Sequence, residues 1–131
     1  MREELLMEIR VRCDGPVSVK GTEKQIVMIP FTGEASGPYF NGRVVGTGVD
    51  TQTIGKDGKA FLSARYRLEG DDAAGSSCRI FVENQGSWET GFTPKVVTDS
   101  PLLADWETAA LTAAVEGIPE GVMIRVLRKA D

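Results

Sequence analysis

Strict alternation of apolar and polar residues at both ends of this 131-residue chain is the feature that most constrains its fold. Apolar residues occupy every second position from Leu5 to Val11 and again from Val122 to Val126. Successive side chains of a β-strand point to opposite faces of a sheet, so a period of two indicates a strand with one buried face. Both ends of the chain are therefore predicted to be half-buried strands.

Further segments of the same kind lie between the two ends. Strands are predicted at residues 4–13, 24–34, 38–48, 59–69, 77–85, 92–98, 108–116 and 121–129, with short additional pairings at Val17–Lys20 and Thr51–Ile54. Many short strands at regular spacing are typical of a barrel or a sandwich, and closure removes the exposed edges of a sheet. We predict an all-β fold: a single antiparallel β-barrel of about eight strands, forming one domain over residues 1–131.

The connections between these strands carry turn signals. Asp57-Gly58 is the strongest hairpin signal, and Gly42–Gly48 would permit the bends of a curled sheet. The segment Pro101–Gly117 is ambiguous, because helical spacing of apolar residues overlaps with residues that favour strands. We expect one short helical turn over Leu102–Trp106, with Pro101 at its first position, followed by a strand.

Composition excludes several classes of function. Nineteen acidic residues outnumber fifteen basic ones for a net charge of −4, and the basic residues are scattered, which argues against nucleic acid as a partner. The chain has no histidine and two cysteines, Cys13 and Cys78, too few for a zinc site and without partners for a Ser/His or Cys/His pair. We expect no metal and no cofactor, and both cysteines are expected to be buried as small hydrophobes.

Charged residues interrupt the N-terminal segment, so it has no apolar stretch of signal-peptide length. Nowhere do ~18 apolar residues follow one another, as a membrane-spanning helix requires. The expected location is cytoplasmic, with no membrane partner. An unpaired N-terminal strand or an exposed patch at Phe61 and Phe81 would favour a homodimer.

The segment Ala60–Glu69 indicates where a site could lie. Its even-numbered positions are mostly apolar and include Tyr66, whereas its odd-numbered positions include Arg65 and Arg67. If hydrophobicity alone chose the interior, Tyr66 would point inward and both arginines would point into solvent. On the next strand Asn84 ends an apolar face; it either bonds a turn or offers a hydrogen bond at the barrel mouth.

Asp50 and Arg65 would make a sensible interior ion pair, because each would offset the desolvation of the other. Such a pair either ties a glycine-rich segment to its neighbour or forms a site. In a site, Arg65 would anchor a carboxylate or carbonyl oxygen, Tyr66 would donate a proton or a hydrogen bond, and Asp50 would act as general base if burial raised its pKa. Trp106 and Trp88 could add an aromatic wall, although a buried tryptophan with a bonded indole is the alternative for each.

Short motifs in a fixed order resemble a protein family. They are Gly37-Pro38, Gly42-Arg43-Val44, Gly48-Val49-Asp50, Asp57-Gly58, Ala64-Arg65-Tyr66, Ile80-x-Val82-x-Asn84-x-Gly86, Thr98–Pro101 and Trp106. Over about residues 30–128 the chain is similar to domain-of-unknown-function family 3237, a set of uncharacterised bacterial and fungal barrel proteins. The resemblance implies a β-barrel related in shape to the calycins, with no agreed activity. Family positions carry over to Asp50, Arg65, Tyr66, Asn84 and Gly86.

The chain also departs from the family pattern. Thr51 stands where members usually have tryptophan after the aspartate, and Asp105-Trp106-Glu107-Thr108 replaces an aromatic-tryptophan-leucine-asparagine stretch. The preceding segment Phe92–Thr98 is shortened. A pocket in this protein is therefore expected to differ in shape and polarity from those of its relatives, and the ligand of one member would not transfer to it.

Three functions stay open at this point. The leading one is a barrel that binds a small, partly apolar molecule in its interior, with Arg65, Asn84 and Trp106 as ligand-binding residues. The second is a metal-free, cofactor-free isomerase, cyclase or lyase that uses Asp50 and Tyr66 as catalytic residues for proton transfer. The third is a packed barrel that acts as an oligomerisation or interaction module, since one fold supports many uses.

Overall fold

The computed structural model describes residues 2–130 of the chain. Ten strands and one short 3₁₀ helix follow in this order: β1 (Arg2–Cys13), β2 (Val17–Lys20), β3 (Lys24–Ser36), β4 (Phe40–Val44), β5 (Gly48–Gly55), β6 (Ala60–Asp72), β7 (Ser77–Ser87), β8 (Gly91–Thr98), the 3₁₀ helix (Pro101–Glu107), β9 (Leu111–Ile118) and β10 (Gly121–Ala130).

All ten strands belong to one antiparallel sheet, and that sheet closes on itself. The order runs from β1 through β10, β9, β8, β7 and β6 to β4 and β3, and β1 also pairs with β3. Strands β4 and β5 share one position in the ring. Both pair with β3 on one side and with β6 on the other, and they occupy successive stretches along those two strands. Strand β2 pairs with β3, and with no other strand in the described part of the chain. The predicted closed barrel of about eight strands is confirmed.

Each predicted strand overlaps one observed strand, apart from the one placed at 38–48. That prediction was wrong as a single unit: β4 ends at Val44, and β5 begins at Gly48. Gly46 lies between them with φ +75°, a conformation that breaks the extended backbone and that glycine adopts at little cost. The Thr51–Ile54 pairing therefore belongs to a full strand. The predicted helical turn is confirmed, with Pro101 at its start.

The alternation predicted from the termini holds with one interruption. The register of β1 against β10 shifts between Leu5 and Met7, so Leu6 is the extra residue of a β-bulge. Leu6 and Met7 are consequently both fully buried, whereas Leu5 is only partly buried. From Met7 to Val11 the odd-numbered positions face the core as the pattern predicts.

One end of the barrel is plugged by the 3₁₀ helix. Leu103 and Trp106 of this helix are buried in the core, and the Trp106 ring meets the Tyr39 ring edge to face at 6.1 Å. Just before the helix, the Ser100 hydroxyl donates a 2.7 Å hydrogen bond to the buried Asp72 carboxylate. Within residues 2–130, no helix has the length and hydrophobicity that a membrane span requires.

The opposite end of the barrel has four hairpins, those that join β2 to β3, β5 to β6, β7 to β8 and β9 to β10. The predicted Asp57-Gly58 turn is one of them: Gly58 has φ +83°, and the Asp57 carboxylate accepts a hydrogen bond from the Lys59 amide. No helix covers this end among the residues that the structure describes. We call it the open end, and it contains the candidate site.

Candidate functional site

A partly enclosed cavity of about 130 Å³ lies inside the open end of the barrel. Its walls are mainly aliphatic side chains of β1, β3, β6, β9 and β10, with the rings of Phe31, Trp88 and Phe92. Four polar residues complete the wall: Cys13, Asp50, Gln52 and Asn84. An engineered apolar cavity of about 150 Å³ in another protein binds benzene, so this partly open space is close in size to a site for a single ring.

The register of the sheet places Asp50 and Asn84 on either side of Ala64. Asp50 of β5 pairs with Ala64 of β6, and Ala64 pairs with Asn84 of β7. Residues in one cross-strand row face the same side of the sheet, and each strand spacing is about 4.8 Å, so the two polar residues start roughly 10 Å apart. Because Ala64 carries only a methyl group, the space between them stays open.

Asn84 is an unpaired polar residue in this wall. Its side chain is buried at 6% exposure, and its Oδ1 atom has no hydrogen-bond partner. An unsatisfied buried acceptor costs about 1–3 kcal/mol. Two roles were considered for Asn84, a hydrogen bond to a turn and a hydrogen bond to a ligand at the barrel mouth. Its Oδ1 atom makes no hydrogen bond to a turn, and the residue lines the cavity, as the second role requires.

Asp50 is partly buried and lies beside Gln52 on the same face of β5. The Gln52 Nε2 atom donates a 2.9 Å hydrogen bond to Asp50 Oδ2. Burial raises the pKa of the Asp50 carboxyl above its usual value, and the hydrogen bond from Gln52 opposes that shift in part. Within residues 2–130 Asp50 forms no ion pair.

The prediction of an interior pair between Asp50 and Arg65 was wrong. Arg65 pairs in register with Val49, whereas Asp50 pairs with Ala64, so Arg65 faces the outside of the barrel. Its side chain is 66% exposed, and its Nε atom lies 2.7 Å from Glu83 Oε2 on the outer surface. Arg65 therefore cannot anchor a ligand in the cavity. The apolar face of β6 is the one that points into the barrel, as expected if hydrophobicity alone determines the orientation of the strand.

Tyr66 points inward, as the apolar face of β6 predicted. It is 4% exposed, its hydroxyl has no hydrogen-bond partner, and its ring meets Phe31 edge to face at 5.3 Å. Burial raises the pKa of this hydroxyl. In the register Tyr66 is a diagonal neighbour of both Asp50 and Asn84, about 7–8 Å from each, and it lies deeper in the barrel than the cavity wall.

Trp106 does not line the cavity, so its predicted ligand-binding role was wrong. It lies under the plugged end of the barrel because the 3₁₀ helix joins β8 to β9 there. Trp88 lies at the open end instead: it is 60% exposed and meets Phe92 edge to face at 5.3 Å. The aromatic wall thus consists of Trp88, Phe92 and Phe31, and only the first was proposed from the sequence.

The two cysteines differ in their exposure to solvent. Cys78 is buried as expected, but Cys13 is exposed and lies on the cavity wall, because β1 ends at the open end. Desolvation raises the pKa of the Cys13 thiol, and the negative charges of Asp50 and Asp14 raise it further. The thiol is accordingly protonated at neutral pH and is a poor nucleophile.

Sequence reasoning missed Gln52, although a signal for it existed. Gln52 is two residues from Asp50, and two residues is the spacing that returns to the same face of a strand. Phe31 could not be found in that way, because its place in the wall depends on the long-range pairing of β3 with β1 and β5.

Comparison with known proteins identifies the family. The model of the family described as Protein of unknown function (DUF3237) matches residues 1–100. The chain belongs to this family. The match confirms the resemblance predicted from short motifs, and it extends further toward the N-terminus than those motifs did, so that β1 is included.

A curated relative supports the same assignment. A UPF0311 protein from Clostridium acetobutylicum is 36% identical over 90 residues, which are 66% of this chain and 54% of that protein. The aligned region thus spans about half the length of the curated relative.

Solved structures share the whole barrel. A protein of unknown function from Clostridium acetobutylicum matches with a TM-score of 0.87 and 25% identity, over 99% of this chain and 97% of that one. A conserved protein of unknown function from Rhodopseudomonas palustris matches with a TM-score of 0.81 and 19% identity, over 97% and 96% of the two chains. A structure described as an enzyme from Penicillium herquei matches with a TM-score of 0.78 and 16% identity, over 97% and 92%.

Proposed function

We propose that this barrel binds a small, partly apolar molecule at its open end, in the space between Asp50 and Asn84. One observation carries the proposal: the buried Asn84 Oδ1 atom lacks a partner, and Asn84 is one of the residues of the cavity wall. Buried polar atoms are nearly always hydrogen-bonded, and exceptions call for an explanation. A ligand that donates a hydrogen bond to Asn84 would satisfy this atom.

The rest of the wall supports the same proposal. Small-molecule sites are typically apolar and aromatic, with a few polar groups that fix the orientation of the ligand. Here Phe31 and Phe92 supply the apolar surface, while Asp50, Gln52 and Asn84 supply the polar groups. The same cavity argues against a packed barrel that serves only as an interaction module.

Filling the cavity tests the proposal. A compound that binds the folded state raises the melting temperature by mass action, so a thermal-shift screen of a small-molecule library should give hits with the wild-type protein. The variant Ala64→Leu places a larger side chain between Asp50 and Asn84 and should lose those hits. The matched control is Ala114→Leu, because Ala114 is exposed on β9 and does not line the cavity.

A screen without hits on the wild-type protein would contradict the proposal. So would hits of equal size in Ala64→Leu, because they would place binding outside the cavity. Circular dichroism of both variants should confirm that each retains the strand content of the wild type.

A second candidate is a metal-free, cofactor-free isomerase, cyclase or lyase, and the raised pKa of Asp50 favours it. A carboxylate with a raised pKa is a stronger base, as general-base catalysis requires. The structure from Penicillium herquei is described as an enzyme. At 16% sequence identity, however, its similarity to this chain shows a shared fold and not a shared activity. Proton donation from the buried Tyr66 hydroxyl to the substrate would complete the acid–base pair.

Substitution separates the two candidates once a ligand is known. If the protein is an enzyme, Asp50→Asn should keep ligand affinity within a few-fold and abolish turnover, and Tyr66→Phe should lower turnover. Equal loss of affinity and turnover in Asp50→Asn would favour binding alone. Turnover that survives Asp50→Asn would remove the enzyme candidate in this form.

A further inference from the structure

The charge of the cavity wall is one-sided. Asp50 and the Cys13 thiol are the ionisable groups among the lining residues, and neither lysine nor arginine contributes to the wall. The nearby Asp14 adds negative charge at Cys13, and the whole chain carries a net charge of −4. The wall itself is therefore negatively charged when Asp50 is ionised, which favours a cation over an anion in contact with it.

Asp50 lacks the cation that would offset its desolvation. Arg65 was the candidate partner, but it faces outward and pairs with Glu83. The interaction that Asp50 does make is with a neutral amide, that of Gln52. Burying a carboxylate without a cation costs several kcal/mol unless it takes up a proton or gains a positively charged partner.

The polar side chains of the wall offer acceptors to a ligand. Asn84 has an unpaired Oδ1 acceptor beside the donors of its Nδ2 group, and the Asp50 carboxylate adds two acceptor oxygens that carry a negative charge when ionised. The Gln52 amide that could donate to a ligand is already bound to Asp50. A ligand that brings donors satisfies both Asn84 Oδ1 and Asp50, whereas a carboxylate or phosphate would face the negative charge of Asp50.

The aromatic wall suits the same kind of ligand. The rings of Phe31, Phe92 and Trp88 line the cavity, and the faces of aromatic rings attract cations within about 6 Å. The volume of about 130 Å³ limits the ligand to roughly one ring or a short aliphatic chain.

We infer that the open end is a binding site for a small primary or secondary ammonium ion, whose N–H groups bridge the Asp50 carboxylate and Asn84 Oδ1 while its apolar part rests against Phe31 and Phe92. The inference depends on the proposed function and gives its ligand a chemical class. The ligand cation takes the place that an interior arginine would have filled. A quaternary ammonium ion has no N–H and would leave Asn84 unpaired.

Three probes of similar shape and different charge test the inference by titration calorimetry at neutral pH. They are butylammonium, butan-1-ol and pentanoate, whose short chain fits the cavity volume. The ammonium ion should bind the wild-type protein at least about tenfold more tightly than the alcohol, which is the ratio expected of one charge-assisted hydrogen bond. The carboxylate should bind more weakly than the alcohol.

The variant Asp50→Asn keeps the shape of the side chain and removes its charge. In this variant the preference for the ammonium ion over the alcohol should fall to about one, while the affinity for the alcohol changes little. The control is Asp14→Asn, which removes an equal charge outside the cavity and should keep the preference. Equal affinity for the ammonium ion and the alcohol in the wild type would overturn the inference and leave the proposed function standing.

A titration of the wild-type protein with pH gives a test that needs no variant. The ammonium affinity should fall as acid protonates Asp50, whose pKa burial raises, while the affinity for the alcohol should not. The groups around Asp50 are the neutral Cys13 thiol and Gln52, with the apolar Ile29 and Ala64 paired beside it. If none of the three probes binds, the inference fails, and the library screen then decides separately on the proposed function.

Discussion

At the scale of single residues, the interior of this barrel is distinguished by two buried side-chain polar atoms that have no partner within residues 2–130. Tyr66 Oη and Asn84 Oδ1 face the same side of adjacent strands as diagonal neighbours. Each costs free energy in the folded state, and both are close to Asp50 in the register. Because these neighbouring polar groups destabilise the fold, a role in a ligand-binding site explains their presence better than a role in stability does.

Removing the Tyr66 hydroxyl should stabilise the protein. In Tyr66→Phe the unpaired hydroxyl is lost and the ring is kept, so the free energy of unfolding should rise by about 1 kcal/mol in urea denaturation. The matched control is Tyr39→Phe, which should lower stability because the Tyr39 hydroxyl donates to the Glu4 carboxylate. A loss of stability in Tyr66→Phe would show that the hydroxyl forms a hydrogen bond in solution.

The raised pKa of Asp50 makes stability depend on pH in a defined direction. The folded protein binds the proton of Asp50 more tightly than the unfolded chain, so the ionised carboxylate destabilises the fold at neutral pH. That penalty is complete above the folded pKa and disappears as the pH falls toward the usual value of 3.8.

Asp50→Asn should therefore be more stable than the wild type at neutral pH, and the difference should shrink as the solution is acidified through that window. Urea denaturation of both proteins across a pH series measures the effect. A difference that stays constant with pH would show that the charge of Asp50 is not its cause.

At the scale of elements, the close approach of β4 and β6 depends on two glycines. Gly42 and Gly70 are paired in register, and a Cβ atom on Gly70 would lie 2.0 Å from the Asn41 carbonyl oxygen. A side chain at either position would push apart the two strands that lie between the site and the plugged end.

Gly70→Ala should lower the free energy of unfolding by on the order of 2 kcal/mol or more, because backbone atoms must move to admit the methyl group. Gly117→Ala is the control: a Cβ atom there meets nothing within 4 Å, and stability should change by less than about 0.5 kcal/mol. Equal effects of the two substitutions would mean that β4 and β6 do not approach closely at this point.

The sequence predicted most elements because alternation and turn residues act locally. It failed where one residue changed the path of the backbone. Gly46 divides the predicted strand at 38–48, and Leu6 adds a bulge that turns two adjacent residues inward. Neither feature changes the pattern of apolar residues enough to be predicted from the sequence, because both depend on how the neighbouring strands pair.

At the scale of the whole molecule, the two ends of the barrel differ: one is filled by packed side chains, and the other is open. The 3₁₀ helix with Trp106 closes the first, and the cavity occupies the second. Which residues meet in the cavity depends on the register of distant strands. Asp50 and Asn84 were identified from the sequence, but the pairing of Asp50 with Ala64 sends Arg65 outward, and the chain connection between β8 and β9 takes Trp106 to the other end.

The most direct test of the account is to locate the binding site by nitrogen–proton correlation NMR, with the library compound that raises the melting temperature most. We predict that the largest shift changes occur at the side-chain amides of Asn84 and Gln52 and at the backbone amide of Ala64. Changes confined to the outer surface around Thr51 and Ser63, or to the Trp106 end, would contradict a ligand site within the barrel.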